Sequence, residues 1–347
     1  MPPDGRGAPP NHEALRAGER AYEAAQYADA ARLFARAVAE DGSDAGAWFK
    51  LGNARWRRGD RTGAIEAYKR ACAENPARAR AWHNLSAVQI AAADFAGAAE
   101  SATKAVALEP RRAKAWNNLG VARHGLGDAV GAETALRRAL ETDPAFPTAY
   151  TNLGRLLLAT GRAPEAREVL ERAKTLGENG LELRIALASA LAACGEAAAG
   201  EALLAETVRA APSSAEAWAA LGDVRRVRGV AADALEAFEA ATAAAADLPD
   251  PMRAGFARRR LATAFALALE ASRCGDRAAF EAVLPRMRLA AAEADSLGVL
   301  DRSKAHELSE RCAEATAGPS LSAATVRASL LGALPVAPPP RAPGGPA

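Results

Sequence analysis

Large apolar, small and turn-forming residues recur along this chain with a period of 34 positions, and within each period the apolar ones fall at helical spacing. The stretch "AKAWNNLGVARHGLGDAVGAETALRRALETDPAF", residues 113–146, has neighbours of the same pattern on both sides that align without gaps. With Ala113 as position 1, position 4 holds Trp48, Trp82, Trp116, Tyr150 and Trp218, with Arg184 the exception. Position 7 is Leu51, Leu85, Leu119, Leu153, Leu187 and Leu221. That separation puts both on one face of a first helix. Position 8 is small (Gly52, Ser86, Gly120, Gly154, Ala188, Gly222), as is position 20 (Ala64, Ala98, Ala132, Ala166, Gly200, Ala234). Small residues at both places let two antiparallel helices approach closely. Position 24 is mostly aromatic or leucine: Phe34, Tyr68, Leu136, Leu170, Leu204 and Phe238.

Punctuation follows the same period. Position 15 is Gly59, Ala93, Gly127, Gly161, Gly195 and Gly229, where a turn needs a permissive backbone. Position 32 is Pro76, Pro110, Pro144 and Pro212, which stop the second helix. Each period predicts a helix–turn–helix that cannot bury its own apolar face and must stack on its neighbours. The expected fold is all-α: an α-solenoid of antiparallel helix pairs.

These residues resemble the tetratricopeptide repeat, whose W-x-x-L-G…G…A…F…A…P pattern they follow over most of the chain. Seven units are expected, at 11–44, 45–78, 79–112, 113–146, 147–180, 181–214 and 215–248. The first is degenerate, with Ala14 and Ala17 where Trp and Leu would stand, as suits a terminal repeat. "DLPDP" (247–251) breaks the register. A divergent eighth unit is read at 261–294, then a capping helix near 296–316 within the helical region 249–316. The ends, 1–10 and the Pro/Ala/Gly-rich 317–347, are read as disordered, with one alternative: "SAATVRASLLGAL" (322–334) places Val326, Leu330, Leu331 and Leu334 on one helical face that could dock on the array's end or on a partner.

Composition narrows the class. Half of the residues are hydrophobic but only 5% aromatic, and the rest of the apolar content is heavy in alanine, which suits close-packed helices. A formal net charge of +2 lacks the basic excess of a general nucleic-acid binder. The short basic runs "ARWRRGDR" (54–61) and "ARRRL" (257–261) read as solvated helix ends. The four cysteines form no CxxC pair, no apolar signal segment is visible, and no 18-residue apolar run is free of charge. The expectation is a cytoplasmic protein without a membrane span. Its oligomeric state is open.

No catalytic constellation can be assembled. His12, His83, His124 and His306 form no HExxH pair, the GxSxG elbow is missing, and "GLGDAVG" (125–131) is an inter-helix turn with no strand before it. The chain is therefore expected to be no enzyme and to need no cofactor or metal.

What remains is recognition of protein. By resemblance to tetratricopeptide arrays, positions 2, 5, 6, 9, 12 and 13 of the first helices line a concave groove. Asparagine recurs there at position 6 as Asn84, Asn118 and Asn152. The run resembles the asparagine ladder of the O-linked N-acetylglucosamine transferase superhelix, without that enzyme's catalytic domain. Carboxamides offer a donor and an acceptor to an extended backbone. Asn53, Asn84 and Lys114 also match part of the carboxylate clamp of chaperone-binding members, but Phe49 and Asn118 stand where that clamp has cations. Lys50, Arg57, Arg80, Lys114 and Arg155 would share the groove and favour an acidic segment. The sequence thus reads as a scaffold or adaptor holding a peptide or protein segment, or as a peptide-sensing regulatory or chaperone-like subunit. The groove amides are expected to face solvent.

Overall fold

The computed structural model describes residues 11–274 and 276–299. Among these, sixteen helices and no strand are found. The chain divides after Asn179 into two compact lobes. In the N-terminal lobe, α1 (Asn11–Glu23) pairs with α2 (Tyr27–Glu40), α3 (Ala45–Arg57) with α4 (Arg61–Glu74), and α5 (Ala79–Ala91) with α6 (Phe95–Leu108). Then α7 (Ala113–Gly125) pairs with α8 (Ala129–Thr142), and α9 (Pro147–Ala159) with α10 (Ala163–Thr175). The C-terminal lobe holds α11 (Leu181–Ala193) with α12 (Ala197–Ala210), α13 (Ala215–Val227) with α14 (Ala231–Ala244), and α15 (Asp250–Cys274) with α16 (Arg277–Ser296).

Helix starts and stops come from the periodic residues. The Asp60, Asp94 and Asp128 carboxylates accept from the backbone N–H of Gly63, Gly97 and Gly131, capping α4, α6 and α8. The turns before them need a left-handed residue. Gly59 and Gly127 supply it at φ of 87° and 81°, whereas Ala93 adopts 58° at some cost in strain. Where position 8 is glycine, the position-24 side chain of the same pair lies on it. A Cβ added to Gly52 would come within 2.7 Å of the Tyr68 ring, and one on Gly154 within 2.4 Å of Leu170 Cγ. Tyr68 and Leu170 are fully buried, each contributing about 1.5–3 kcal/mol of burial.

Position 4 has a second task besides packing. The indole N–H of Trp48, Trp82, Trp116 and Trp218 donates to the carbonyl six residues upstream, those of Gly42, Pro76, Pro110 and Pro212, at 2.8–2.9 Å. Each tryptophan thereby ties its helix to the loop leading in from the previous pair. Arg184, at the same position, instead donates from Nε to Thr207 Oγ1 at 2.8 Å. The third pair departs in another way. Ala102 fills position 24 there, and the buried Gln89 and Ser101 bond to each other at 2.8 Å.

The C-terminal end differs from a further 34-residue unit. After the loop that holds Leu248 and Pro249, α15 starts at Asp250 and runs for 25 residues, and α16 for 20. Phe265, Leu284 and Met287 form their shared core. The expected terminal segments, 1–10 and 317–347, and nearly all of the expected capping helix near 296–316, lie outside the described residues. No helix among the described residues is long and apolar enough to cross a membrane.

Candidate functional site

The first helices of the N-terminal lobe, α1, α3, α5, α7 and α9, are joined side to side by polar bridges. Between α1 and α3, the Lys50 ammonium pairs with the Glu19 carboxylate. Between α3 and α5, Asn84 Nδ2 donates to Asn53 Oδ1 at 2.9 Å, and the Tyr68 hydroxyl donates to the same oxygen at 2.7 Å. Between α5 and α7, Asn118 Nδ2 donates to Ser86 Oγ at 3.0 Å. Ser86 Oγ itself donates to the His83 carbonyl at 2.7 Å, which fixes it as the acceptor. Between α7 and α9, Asn152 Nδ2 donates to Asn117 Oδ1 at 2.8 Å.

The amides at position 6 are thus half-buried struts, and the expectation that they simply face solvent does not hold. Their nitrogens are engaged within the protein. The Oδ1 atoms of Asn84, Asn118 and Asn152 make no hydrogen bond among the described residues. The face therefore presents a row of carbonyl acceptors, each oriented by its own amide nitrogen.

The cations separate into two groups. Lys50 is held by Glu19, and the Arg57 guanidinium lies 4.8 Å from the centre of the Tyr27 ring while donating to its hydroxyl at 2.6 Å. Arg55 and Arg123, in the last turn of their helices, reach instead to the carbonyls of Gly63 and Gly131 and brace the turn. Arg80 and Lys114 are exposed and carry no ion pair among the described residues; Arg155 is exposed as well. His83 lies close to Arg112 and Lys114. Burial first, then those two cations, depress its pKa to about 4, so the ring is neutral near pH 7. Burial and Arg155 lower His124 in the same direction.

One feature of composition becomes visible only once the helix bounds are known. The helices α3, α5, α7 and α9 hold Lys50, Arg55, Arg57, Arg80, Lys114, Arg123 and Arg155, and not one Asp or Glu. By contrast α1 carries Glu13, Glu19 and Glu23, while α11 has Glu182 and α13 has Glu216 and Asp223. Glu19, Tyr27 and Ser86 are determinants of this face that the sequence alone does not single out, and Asn117, at groove position 5, proves to be the partner of Asn152. Their signal was positional: they stand in the repeat before the residues they neutralise or orient.

The family model of the cilia and flagella-associated protein 70 C-terminal domain matches residues 11–257. Among solved structures, a tetratricopeptide repeat protein from Parabacteroides merdae is similar over 77% of this chain and 98% of its own, with 17% identity and a TM-score of 0.55. PilW, described as a type IV pilus biogenesis factor, is similar over 61% of this chain and 98% of its own, with 20% identity and a TM-score of 0.53. Pseudomonas aeruginosa pilF covers 60% of this chain and 94% of its own, at 17% identity and a TM-score of 0.51. At these identities the likeness concerns the fold. A comparison with curated proteins finds no match.

Proposed function

Because the chain belongs to the family of the cilia and flagella-associated protein 70 C-terminal domain, a tetratricopeptide-repeat family, we propose that it is a non-enzymatic scaffold that holds an acidic, extended segment of a partner protein. The segment lies across the first helices of the N-terminal lobe. The observation that carries this reading is the absence of any carboxylate from α3, α5, α7 and α9, beside the exposed Arg80 and Lys114. Cations gathered on one face with no acid among them raise the local potential and steer an anionic partner. The asparagine carbonyls then accept N–H donors from the segment's backbone, whatever its side chains. Binding draws on a surface already braced by its own hydrogen bonds, so little ordering cost falls due on association.

The test uses a fluorescein-labelled glutamate-rich peptide and its glutamine counterpart, titrated by anisotropy. The acidic peptide is expected to bind more tightly, with affinity falling as salt rises. Arg80→Glu with Lys114→Glu should weaken it about tenfold or more, chiefly through the association rate. Equal binding of both peptides, or indifference to the double reversal, sinks the proposal.

A further inference from the structure

The first two junctions between neighbouring first helices, α1–α3 and α3–α5, draw on the same three places: position 9 of one repeat, position 6 of the next, and the position-24 ring beneath them. Between α3 and α5 these are Asn53, Asn84 and Tyr68, and they close on each other through the Tyr68 hydroxyl and the Asn84 amide, at 2.7 and 2.9 Å. Between α1 and α3 all three differ: they are Glu19, Lys50 and Phe34. The two rings are seated alike. A Cβ on Gly18 would meet Phe34 Cε1 at 2.7 Å, just as one on Gly52 would meet Tyr68 Cε1 at 2.7 Å. Phe34 has no hydroxyl to reach up with, and Glu19 and Lys50 pair with each other above it. The junction that is closed between α3 and α5 is open here. It leaves a mainly apolar cleft of about 150 Å³ lined by Glu19, Tyr22, Glu23, Phe34, Lys50 and Asn53.

We infer that this cleft seats one aliphatic side chain of the acidic segment, giving the interaction a fixed register. The inference rests on the groove reading above and adds an anchor to it. A volume of about 150 Å³ has room for a group the size of benzene. Of the polar groups lining it, Glu19 and Lys50 pair with each other and Asn53 Oδ1 accepts from Tyr68 and Asn84, which leaves the Glu23 carboxylate, whereas an aliphatic group needs no partner. The acidic part of the segment is placed by charge. Arg80 stands one repeat further on and Lys114 two, both exposed. With neighbouring helices about 10 Å apart, the cleft and Lys114 are bridged by about six extended residues.

Phe34→Tyr is the discriminating variant. By the precedent of Tyr68, its hydroxyl lands between Glu19 and Lys50 and closes the cleft. A second variant adds Glu19→Asn and Lys50→Asn, copying a junction that this chain already folds, and carries the comparison should the single change unfold. The probes are acetylated, amidated peptides with one leucine, a glycine–serine spacer of about six residues and a run of glutamates, in both chain directions. Their companions have glycine for leucine. The wild-type protein is expected to bind the leucine peptide about tenfold more tightly than the glycine peptide, in one direction. Phe34→Tyr should keep the wild-type affinity for the glycine peptide, and both variants should lose the preference for leucine over glycine. If the wild type binds both peptides alike, or the preference survives in the variants, the anchor is overturned and the acidic groove stands. If neither peptide binds, both readings fall.

Discussion

Replacing Asn84, Asn118 and Asn152 together by alanine removes one bridge at each of three successive junctions, and the structure assigns each loss a size. At the first, Asn53 Oδ1 keeps the Tyr68 hydroxyl as donor, so Asn84→Ala forfeits one hydrogen bond, about 0.5–1.5 kcal/mol. At the second, Ser86 Oγ loses the Asn118 donor but still donates to the His83 carbonyl, and the loss is again about 0.5–1.5 kcal/mol. The third is different. Asn117 is 7% exposed, and Asn152→Ala leaves its carbonyl without its partner in a place water reaches poorly, at about 1–3 kcal/mol. The three junctions share no partners, so the effects should nearly add, to about 2–6 kcal/mol. Urea unfolding followed by circular dichroism measures the total. Hydrogen exchange should place the loss of protection in α5, α7 and α9, because a stacked array is stabilised neighbour by neighbour. A triple variant within about 0.5 kcal/mol of wild type would show that the amides are merely hydrated and refute the bridging argument.

Three further outcomes are expected. The His83 pKa, about 4 when folded against an ordinary 6.5, means that the unfolded chain binds more protons between those values. Stability should therefore fall as pH drops from 6.5 to about 4, and His83→Gln should flatten that part of a pH series of urea midpoints. Gly154→Ala drives a Cβ to 2.4 Å from Leu170 Cγ and should cost about 1–3 kcal/mol. Gly161→Ala meets only open space at φ +78° and should cost about 1 kcal/mol; the reverse order in denaturant midpoints would contradict the packing. Trp116→Phe removes the 2.8 Å bond to the Pro110 carbonyl and should lower stability by about 0.5–1.5 kcal/mol in the same assay, with no change in secondary structure.

Periodicity carried most of the fold because each of its signals is local. A glycine at position 15 turns the chain wherever it stands, as at Gly59 and Gly127, and an aspartate just after it caps the next helix by reaching three residues ahead. A small residue at position 8 opposite a ring at position 24 specifies the helix pair, as in Gly52 with Tyr68. These choices involve residues within one repeat, and one repeat is what the eye compares. The long α15 escaped that comparison, since its start at Asp250 falls in a stretch where the period is lost.

The binding face was only half legible, for the opposite reason. Which residues share the binding face follows from the resemblance to tetratricopeptide arrays, so Lys50, Arg57, Asn84, Asn118 and Asn152 were readable as a set. What each of them does depends on a residue one repeat away. Lys50 is neutralised by Glu19 and Asn152 is claimed by Asn117, 31 and 35 residues distant in the chain. A period of 34 brings together residues whose offset is close to 34, and no local pattern reveals whether such a pair is two amides, an ion pair or an open cleft. The helices were written in each repeat by itself. The charge left exposed, the carbonyls left free and the cleft over Phe34 were decided only when neighbouring repeats met, because hydrogen bonds and ion pairs depend on which side chains come within about 3 Å of each other.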